Sequence, residues 1–192
     1  INRYSDLSYP VQPTLFFEFH GSDNGVREQA ELVGEIAAEF DGGDFQWASR
    51  QEDRNKLWQA RHDAYYAAMA LRPGCKGWAT DVCVPISEMT RCLLETRKDI
   101  DASGILAPIV SHAGDGNFHL VFLVDTSNAD EMARASEVND RMVARALAAG
   151  GTCTGEHGVG FGKIEFLKAE HGEALATEFA LCPGAIGAAA LR

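Results

Sequence analysis

The amino-acid sequence predicts an α+β domain in which a mostly antiparallel sheet is covered by helices. Two observations indicate this class: strand-like apolar runs alternate with amphipathic stretches, and a glycine-containing turn joins two adjacent apolar runs. With 192 residues, 46% of them hydrophobic and 23% charged, the chain has enough apolar side chains for a core. One compact domain is expected, with two small ones as the upper limit.

The first half of the chain is predicted as two strand–helix pairs. In order, they are a strand at 14–20, a helix at 26–40, a strand at 45–49 and a helix at 52–71. The first strand is rich in aromatic residues, and residues 21–25 then supply turn and N-cap side chains. Apolar residues recur at helical spacing in the first helix, which Gly42 and Gly43 end.

The second half is predicted to contain a β-hairpin between helices. Its elements are a strand at 79–84, a helix from Ser87 to about 100, strands at 105–111 and 118–124, and a helix at 130–149. Ser87 is the expected N-cap of its helix. The Asp-Gly pair at 115–116 is the hairpin signal, in a loop longer than two residues.

Charge and cysteine content exclude some functional classes. The net charge of -11 argues against nucleic-acid binding, although a few converging cations can still bind an anionic substrate in a cleft. The five cysteines form no C-x-x-C pair, which favours a reducing compartment and predicts a cytoplasmic protein. No apolar run approaches the length of a membrane span. Because the sequence opens at Ile1, we expect a piece of a longer polypeptide.

Two histidines bracket the hairpin turn in the segment 111–119, which reads Ser-His-Ala-Gly-Asp-Gly-Asn-Phe-His. If the turn folds back, His112 and His119 become neighbours on adjacent strands, close enough for one metal ion to bridge them. Two histidines are an incomplete site, since a catalytic metal usually has a third protein ligand. The alternative interpretation is a pair of partly buried strand histidines with no metal.

A second segment, 150–162, contains six glycines together with the adjacent pair Glu156 and His157. In an extended segment neighbouring side chains point to opposite sides, so one could bind a metal while the other faces a substrate proton. The glycine spacing fits neither the dinucleotide-binding fingerprint nor a P-loop. The alternative here is a flexible surface loop, which we consider the less favoured interpretation.

These two segments, in this order, resemble the C-terminal domain of FAD-linked oxidases, and within that group the cytochrome-linked D-lactate dehydrogenases and their glycolate oxidase relatives. The resemblance extends over residues 13–172. It implies zinc or manganese bound by His112, His119 and Glu156, and His157 as the general base that takes the substrate hydroxyl proton. It also implies that Arg61 and Lys76 bind the substrate carboxylate; outside this context, each would be interpreted as a solvated cation.

The resemblance also predicts how the domain is used. Residues 1–192 would form the substrate- and metal-binding domain of an enzyme that oxidises a small D-2-hydroxy acid, with D-lactate favoured. FAD would be held mainly by an N-terminal domain absent from this chain, so we expect the isolated chain to bind metal without turning over. The electron acceptor would be a cytochrome, a quinone or an electron-transfer flavoprotein. Homodimer formation and peripheral membrane attachment are left open.

Two positions depart from the pattern that this resemblance implies. Relatives specific for 2-hydroxyglutarate have asparagine where this chain has Val121, and an apolar residue there favours a short apolar substrate. The end of the chain, 181–192, lacks a Pro-Gly-Lys segment that contacts flavin in the family, so that contact is in doubt. Alternatives are action on glycolate or D-2-hydroxyglutarate, a non-catalytic metal-binding interaction domain, and a metal-dependent hydrolase.

Overall fold

A computed structural model describes residues 1–43, 45, 47–48 and 50–172 of the chain. The chain divides into two compact units, Ile1–Ala67 and Ala68–Arg192. Two units are the upper limit expected from the chain length. The altered C-terminal segment at 181–192 lies outside the described residues.

The first unit is helical in its described part. Its helices are α1 (Asn2–Ser5), α2 (Asp23–Glu39) and α3 (Gln51–His62), and α4 (Ala64–Met69) crosses into the second unit. Helix α2 confirms the helix predicted at 26–40, and the Ser22 side chain caps it by accepting a hydrogen bond from the Gly25 N–H at 3.3 Å. The helix predicted at 52–71 is present as two helices, because the chain departs from helix at Asp63.

The two strands predicted in this unit are not found among its described residues. The prediction at 14–20 is wrong: these residues are not in a strand, and Leu15 and Phe17 are half or more exposed. A strand needs a hydrogen-bonded partner, and no residue in this segment has one in the described pairing. Of the strand predicted at 45–49, residues 46 and 49 lie outside the described residues, and 45, 47 and 48 are not in a strand.

The second unit contains the sheet and the longest helices. Its elements are β1 (Lys76–Ala79), β2 (Val82–Cys83), α5 (Ile86–Ser103), β3 (Ile109–His112), a 3-10 turn (Ala113–Asp115), β4 (Asn117–Val124), α6 (Ala129–Ala148) and α7 (Ile164–His171). Helix α5 begins one residue before the predicted N-cap Ser87, because Pro85 has the extended ψ angle of a capping residue. Asn128 caps α6 through the Glu131 N–H, at 3.1 Å. Helix α7 was not predicted.

Strand β4 is the centre of an antiparallel sheet. Strands β1 and β2 pair with it in succession along one edge and share one register, in which Lys76 faces Val124 and Val82 faces Phe118. Strand β3 pairs along the other edge, as the predicted hairpin requires. The α+β class with a mostly antiparallel sheet is therefore confirmed.

Alternate residues of β4 face two different environments, because side chains along a strand alternate between faces. Phe118, Leu120, Phe122 and Val124 pack with buried residues of α5 and α6 in the main core. Val121 and Leu123 join a smaller cluster with Ala68. His119 shares the face of Val121, so the sheet presents this histidine away from α5 and α6.

None of the helices in the described residues has the length and apolar character of a membrane-spanning helix.

Candidate functional site

The hairpin brings His112 and His119 together as the sequence predicts. His112 ends β3 opposite Asn117, and His119 lies opposite Val110 in the same register. The two histidines are therefore diagonal neighbours on one face of the sheet. Their ring centroids are 5.9 Å apart and the rings are nearly perpendicular.

The orientation of His119 is determined by Thr80, between β1 and β2. The Thr80 hydroxyl accepts the Leu120 N–H at 2.8 Å, in the place where a ladder carbonyl would normally accept. The Thr80 carbonyl can therefore accept from His119 Nδ1, at 2.9 Å. With Nδ1 as the donor, the lone pair of the neutral ring is on Nε2.

Glu156 completes a cluster of three metal-ligand side chains. Its Oε1 atom lies 2.9 Å from His119 Nε2 and 3.5 Å from His112 Nε2. The potential ligand atoms of the three residues all lie within 4.8 Å of one another. Among the residues that the structure describes, this cluster is the one group of acidic, cysteine or histidine side chains placed to hold a metal ion.

The environment of His119 fits a cation between these groups. Its Nε2 atom is buried with no aligned hydrogen-bond partner, although the Glu156 oxygen is only 2.9 Å away. Burial lowers the pKa of His119, and the hydrogen bond to Thr80 only partly opposes this effect. A neutral ring and a carboxylate then face each other as two acceptors, an arrangement that a divalent cation would relieve. Two imidazoles and one carboxylate suit zinc and accept other divalent ions.

His157 lies against this cluster on the same side as Glu156. Its ring stacks on His119 with a centroid distance of 4.7 Å and an interplanar angle of 8°. Its Nε2 atom is 3.6 Å from Glu156 Oε1. The expectation that the side chains of 156 and 157 point to opposite sides is therefore wrong. The segment is bent rather than extended here, and Gly158 has a φ of +76°.

The bend is organised by Asp81, which sequence reasoning missed. Oδ2 of this buried carboxylate accepts the consecutive N–H groups of Gly155, Glu156 and His157 at 2.9, 3.0 and 2.9 Å. Burial raises the pKa of Asp81, but the His157 N–H, the Asn117 side chain and Lys163 outweigh it and hold the pKa well below its usual range. The available signal was a carboxylate inside the strand-like run at 79–84.

Close packing explains one glycine in this bend. A Cβ atom on Gly155 would overlap Asn117 Nδ2 at 2.0 Å and lie tightly against Asp81 Oδ1 at 3.0 Å. Gly116 is restricted in the same way in the hairpin turn, where its φ is +72° and a Cβ would lie 2.0 Å from the Val84 carbonyl oxygen. Gly155 is therefore needed for close contact, and Gly116 for close contact and for its left-handed backbone conformation.

A cleft of about 260 Å³ opens beside the cluster. It is lined by Cys83, His112, Asp115, Asn117, Gly155 and Glu156. Two of the three candidate metal ligands therefore border open space, which a small organic acid could enter.

The predicted carboxylate-binding residues lie in different units. Arg61 is near the end of α3 in the first unit. Lys76 is exposed at the start of β1, where it lies opposite Val124, toward the end of β4 that is remote from the hairpin turn. Val121 is buried beside Ala68 and Leu123, so its contact with a substrate stays a prediction.

Comparison with known proteins gives consistent matches. The family model described as FAD linked oxidases, C-terminal domain, matches residues 2–180. A probable mitochondrial D-lactate dehydrogenase of Danio rerio is 52% identical over 171 residues, covering 89% of this chain and 34% of that protein. The mitochondrial D-lactate dehydrogenase (cytochrome) of Arabidopsis thaliana is 42% identical over 178 residues, covering 92% and 31%.

A more distant match is the glycolate oxidase subunit GlcD of Escherichia coli, which is 29% identical over 164 residues, covering 84% of this chain and 32% of that protein. The chain thus spans about a third of the length of the curated relatives that it matches.

Proposed function

This chain belongs to the family of FAD-linked oxidase C-terminal domains, and on that premise we propose that it is the substrate- and metal-binding part of a flavin-dependent D-2-hydroxy acid dehydrogenase. D-lactate is the favoured substrate, and the product is the 2-oxo acid. FAD would be held mainly by a part of the protein that precedes this chain. The observation that carries the proposal is the cluster of His112, His119 and Glu156 with His157 stacked against it.

The proposed roles follow from the chemistry of each side chain. His112, His119 and Glu156 would hold zinc or manganese, which would supply Lewis acidity that favours ionisation of the substrate hydroxyl. His157 is proposed as the general base, since imidazole is suited to proton transfer near neutral pH and this ring is 44% exposed beside the cluster. FAD would supply the hydride acceptor.

Substrate orientation is assigned to the two cations. The Arg61 guanidinium can bind a carboxylate through two parallel hydrogen bonds, and the Lys76 ammonium adds a point charge. Both roles rest on the family resemblance, because each residue lies in a separate unit of the structure. Lys76 pairs with Val124, whose side chain lies on the α5 and α6 side of the sheet and not on the side of His119, so the role of Lys76 is supported by the resemblance alone.

The choice of D-lactate is supported by relatives and by one residue. The two relatives of higher identity are named as D-lactate dehydrogenases. The apolar side chain of Val121 favours a short apolar substrate over a diacid. Glycolate is the second candidate, because more distant relatives are glycolate oxidase subunits. D-2-hydroxyglutarate is the third.

The acceptor and the location are proposed from the same relatives. Relatives in Arabidopsis thaliana and Saccharomyces cerevisiae carry the word cytochrome in their names, which supports a cytochrome acceptor over a quinone or an electron-transfer flavoprotein. The same relatives are named as mitochondrial, and this supports a mitochondrial location over the cytoplasmic one expected from cysteine content.

The experiment that tests the reaction is dye reduction by the full-length protein with D- and L-2-hydroxy acids. We expect turnover confined to D-acids, with D-lactate fastest. A fast diacid would contradict the Val121 argument and leave the reaction class intact. No turnover by protein loaded with flavin and metal would contradict the enzyme proposal and favour a non-catalytic interaction domain.

The isolated chain provides a second test. We expect it to bind zinc in a 1:1 ratio and to show no stoichiometric flavin absorbance after purification, whereas a flavin band would contradict the proposed division between domains. Hydrolysis of an ester or amide by the isolated chain would favour a metal-dependent hydrolase instead.

A further inference from the structure

The carboxylate of Asp81 links the two chain segments that bear the cluster. On one side its Oδ2 atom accepts three consecutive backbone N–H groups, from Gly155 to His157, and the Thr154 hydroxyl at 2.9 Å. Convergent N–H groups of this kind form a concave anion site in the backbone. Here the anion is a side chain of the protein, so the path of the backbone at Glu156 and His157 depends on it.

The other oxygen of Asp81 is tied to the hairpin. Oδ1 accepts from Asn117 Nδ2 at 2.7 Å, and the same nitrogen donates to the Val82 carbonyl at 3.0 Å. Asn117 begins β4, two residues before His119. Since Thr80 holds His119 Nδ1, the adjacent residues 80 and 81 contact both the histidine strand and the Glu156 bend.

Lys163 supplies the countercharge that a buried carboxylate requires. Its Nζ atom donates to the Asp81 backbone carbonyl at 3.0 Å and lies 3.3 Å from Oδ2. The Lys163 side chain is 18% exposed, and that of Asp81 is fully buried. An unpaired charge at such a site would be strongly unfavourable, so Lys163 stabilises the buried Asp81 carboxylate that anchors the bend.

We propose that Asp81, supported by Lys163, is the positioning residue that sets the distance of the Glu156 carboxylate and the His157 ring from His119. Asp81 has no role in the proton transfer itself. As far as metal binding is concerned, the inference rests on the proposed function. Its structural part, the anchoring of the bend, does not require a metal.

The test compares Asp81→Asn with the unchanged full-length protein. The side-chain amide of asparagine has one NH2 group, which must face either the three backbone N–H groups or Asn117 Nδ2. In either orientation a donor faces another donor, and a hydrogen bond is lost. We expect zinc affinity to fall about 10- to 100-fold, as for other partners that orient metal ligands. Amide hydrogen exchange at 154–157, measured without metal, should accelerate more than exchange in α6.

Three further variants, at Thr154 and Lys163, cover a failure of Asp81→Asn to fold. Thr154→Val removes one donor to Oδ2 and keeps the charge, so it should fold and weaken zinc binding severalfold. Lys163→Met should weaken zinc binding more than Lys163→Arg does, because arginine retains the positive charge beside Asp81. Lys98→Met, an exposed change on α5, is the matched control and should alter neither measurement.

The outcomes separate the two proposals. If the unchanged protein does not bind zinc, the metal proposal fails, and hydrogen exchange at 154–157 alone decides the role of Asp81. If folded variants bind zinc with unchanged affinity, or the 154–157 amides exchange at unchanged rates, Asp81 contributes only stability and the inference is overturned.

Discussion

At the hairpin, the side chain of Thr80 takes over a hydrogen bond that a backbone carbonyl would normally accept. The Thr80 hydroxyl accepts the Leu120 N–H in place of the Thr80 carbonyl, which is then available to accept from His119 Nδ1 and orient its ring. His119 in turn supports the ring of His157 by stacking. The base proposed at His157 is not one of the three proposed metal ligands, so its loss should separate proton transfer from metal binding.

That separation is tested with His157→Gln in the full-length protein. We expect kcat for D-lactate to fall about 10²- to 10⁴-fold, the usual contribution of a general base. The metal content should be unchanged, because His112, His119 and Glu156 remain. His62→Gln, an exposed change on α3, serves as the control. Equal activity of the two variants would remove His157 from the mechanism.

At the scale of elements, the glycine-rich segment is held by close contact at one position and is open at another. A side chain on Gly155 would overlap Asn117, whereas a Cβ on Gly162 meets no atom within 4 Å. Gly155→Ala should therefore displace the Glu156 bend, weakening zinc binding by at least about 10-fold and lowering Tm. Gly162→Ala should change neither property. Similar zinc titrations for both alanine variants would contradict this account of the bend.

A second link between elements is the ion pair of Arg72 and Glu131. Arg72 donates to the Glu131 carboxylate at the start of α6 and to the Leu123 carbonyl near the end of β4, at 2.8 Å. The hydrogen bond from Arg72 lowers the pKa of Glu131, and burial only partly opposes it. A lowered pKa in the folded state means that the stabilisation exists above the unfolded pKa and is lost as pH falls through the folded pKa.

Glu131→Gln should consequently lower Tm by several degrees at about pH 7, with the difference shrinking below about pH 4, where carboxylates protonate. Thermal melts across this pH range measure the effect. Glu137→Gln on the same helix is the control, since that side chain is 68% exposed and 3.9 Å from Arg141. A difference from the unchanged protein that is independent of pH would exclude the ion pair as its source.

Across the whole molecule, the buried apolar side chains are distributed unevenly. In the described residues of the first unit, the buried apolar side chains are Ala30, Ala60 and Ala67, whereas the second unit buries all eight residues of β4. Opening a segment costs more free energy when more apolar surface becomes exposed.

Hydrogen exchange of the 192-residue chain should follow this distribution. We expect amides of β4 and α6 to exchange most slowly, and those of α2 to exchange at least about 10-fold faster. Peptide-level mass spectrometry measures both regions in one sample. Equal protection of α2 and β4 would indicate apolar contacts in the first unit beyond those described.

Local sequence patterns were sufficient for the features that depend on neighbouring residues. Apolar periodicity and N-cap residues predicted α2, and an Ala-rich run ended by Gly150 and Gly151 predicted α6. The Asp-Gly turn predicted the β3–β4 hairpin. Helices and tight turns can be predicted in this way because their hydrogen bonds form within a short stretch of chain. The same hairpin made His112 and His119 neighbours. The grouping of Glu156 with them was inferred from the family resemblance, since no local pattern relates residues so far apart.

Only the tertiary structure decided the features that depend on distant partners. The aromatic segment at 14–20 has strand composition but no strand partner in the described pairing, and composition alone cannot supply one. Asp81 looks like an isolated carboxylate in the sequence, yet in the fold it meets donors from the hairpin and from 154–157. The sequence by itself determined the local elements and the candidate ligands. The distances between the candidate ligands were decided by the fold. A buried carboxylate such as Asp81 is stable only where donors distant in sequence converge on it, and these contacts hold the ligand-bearing segments in place.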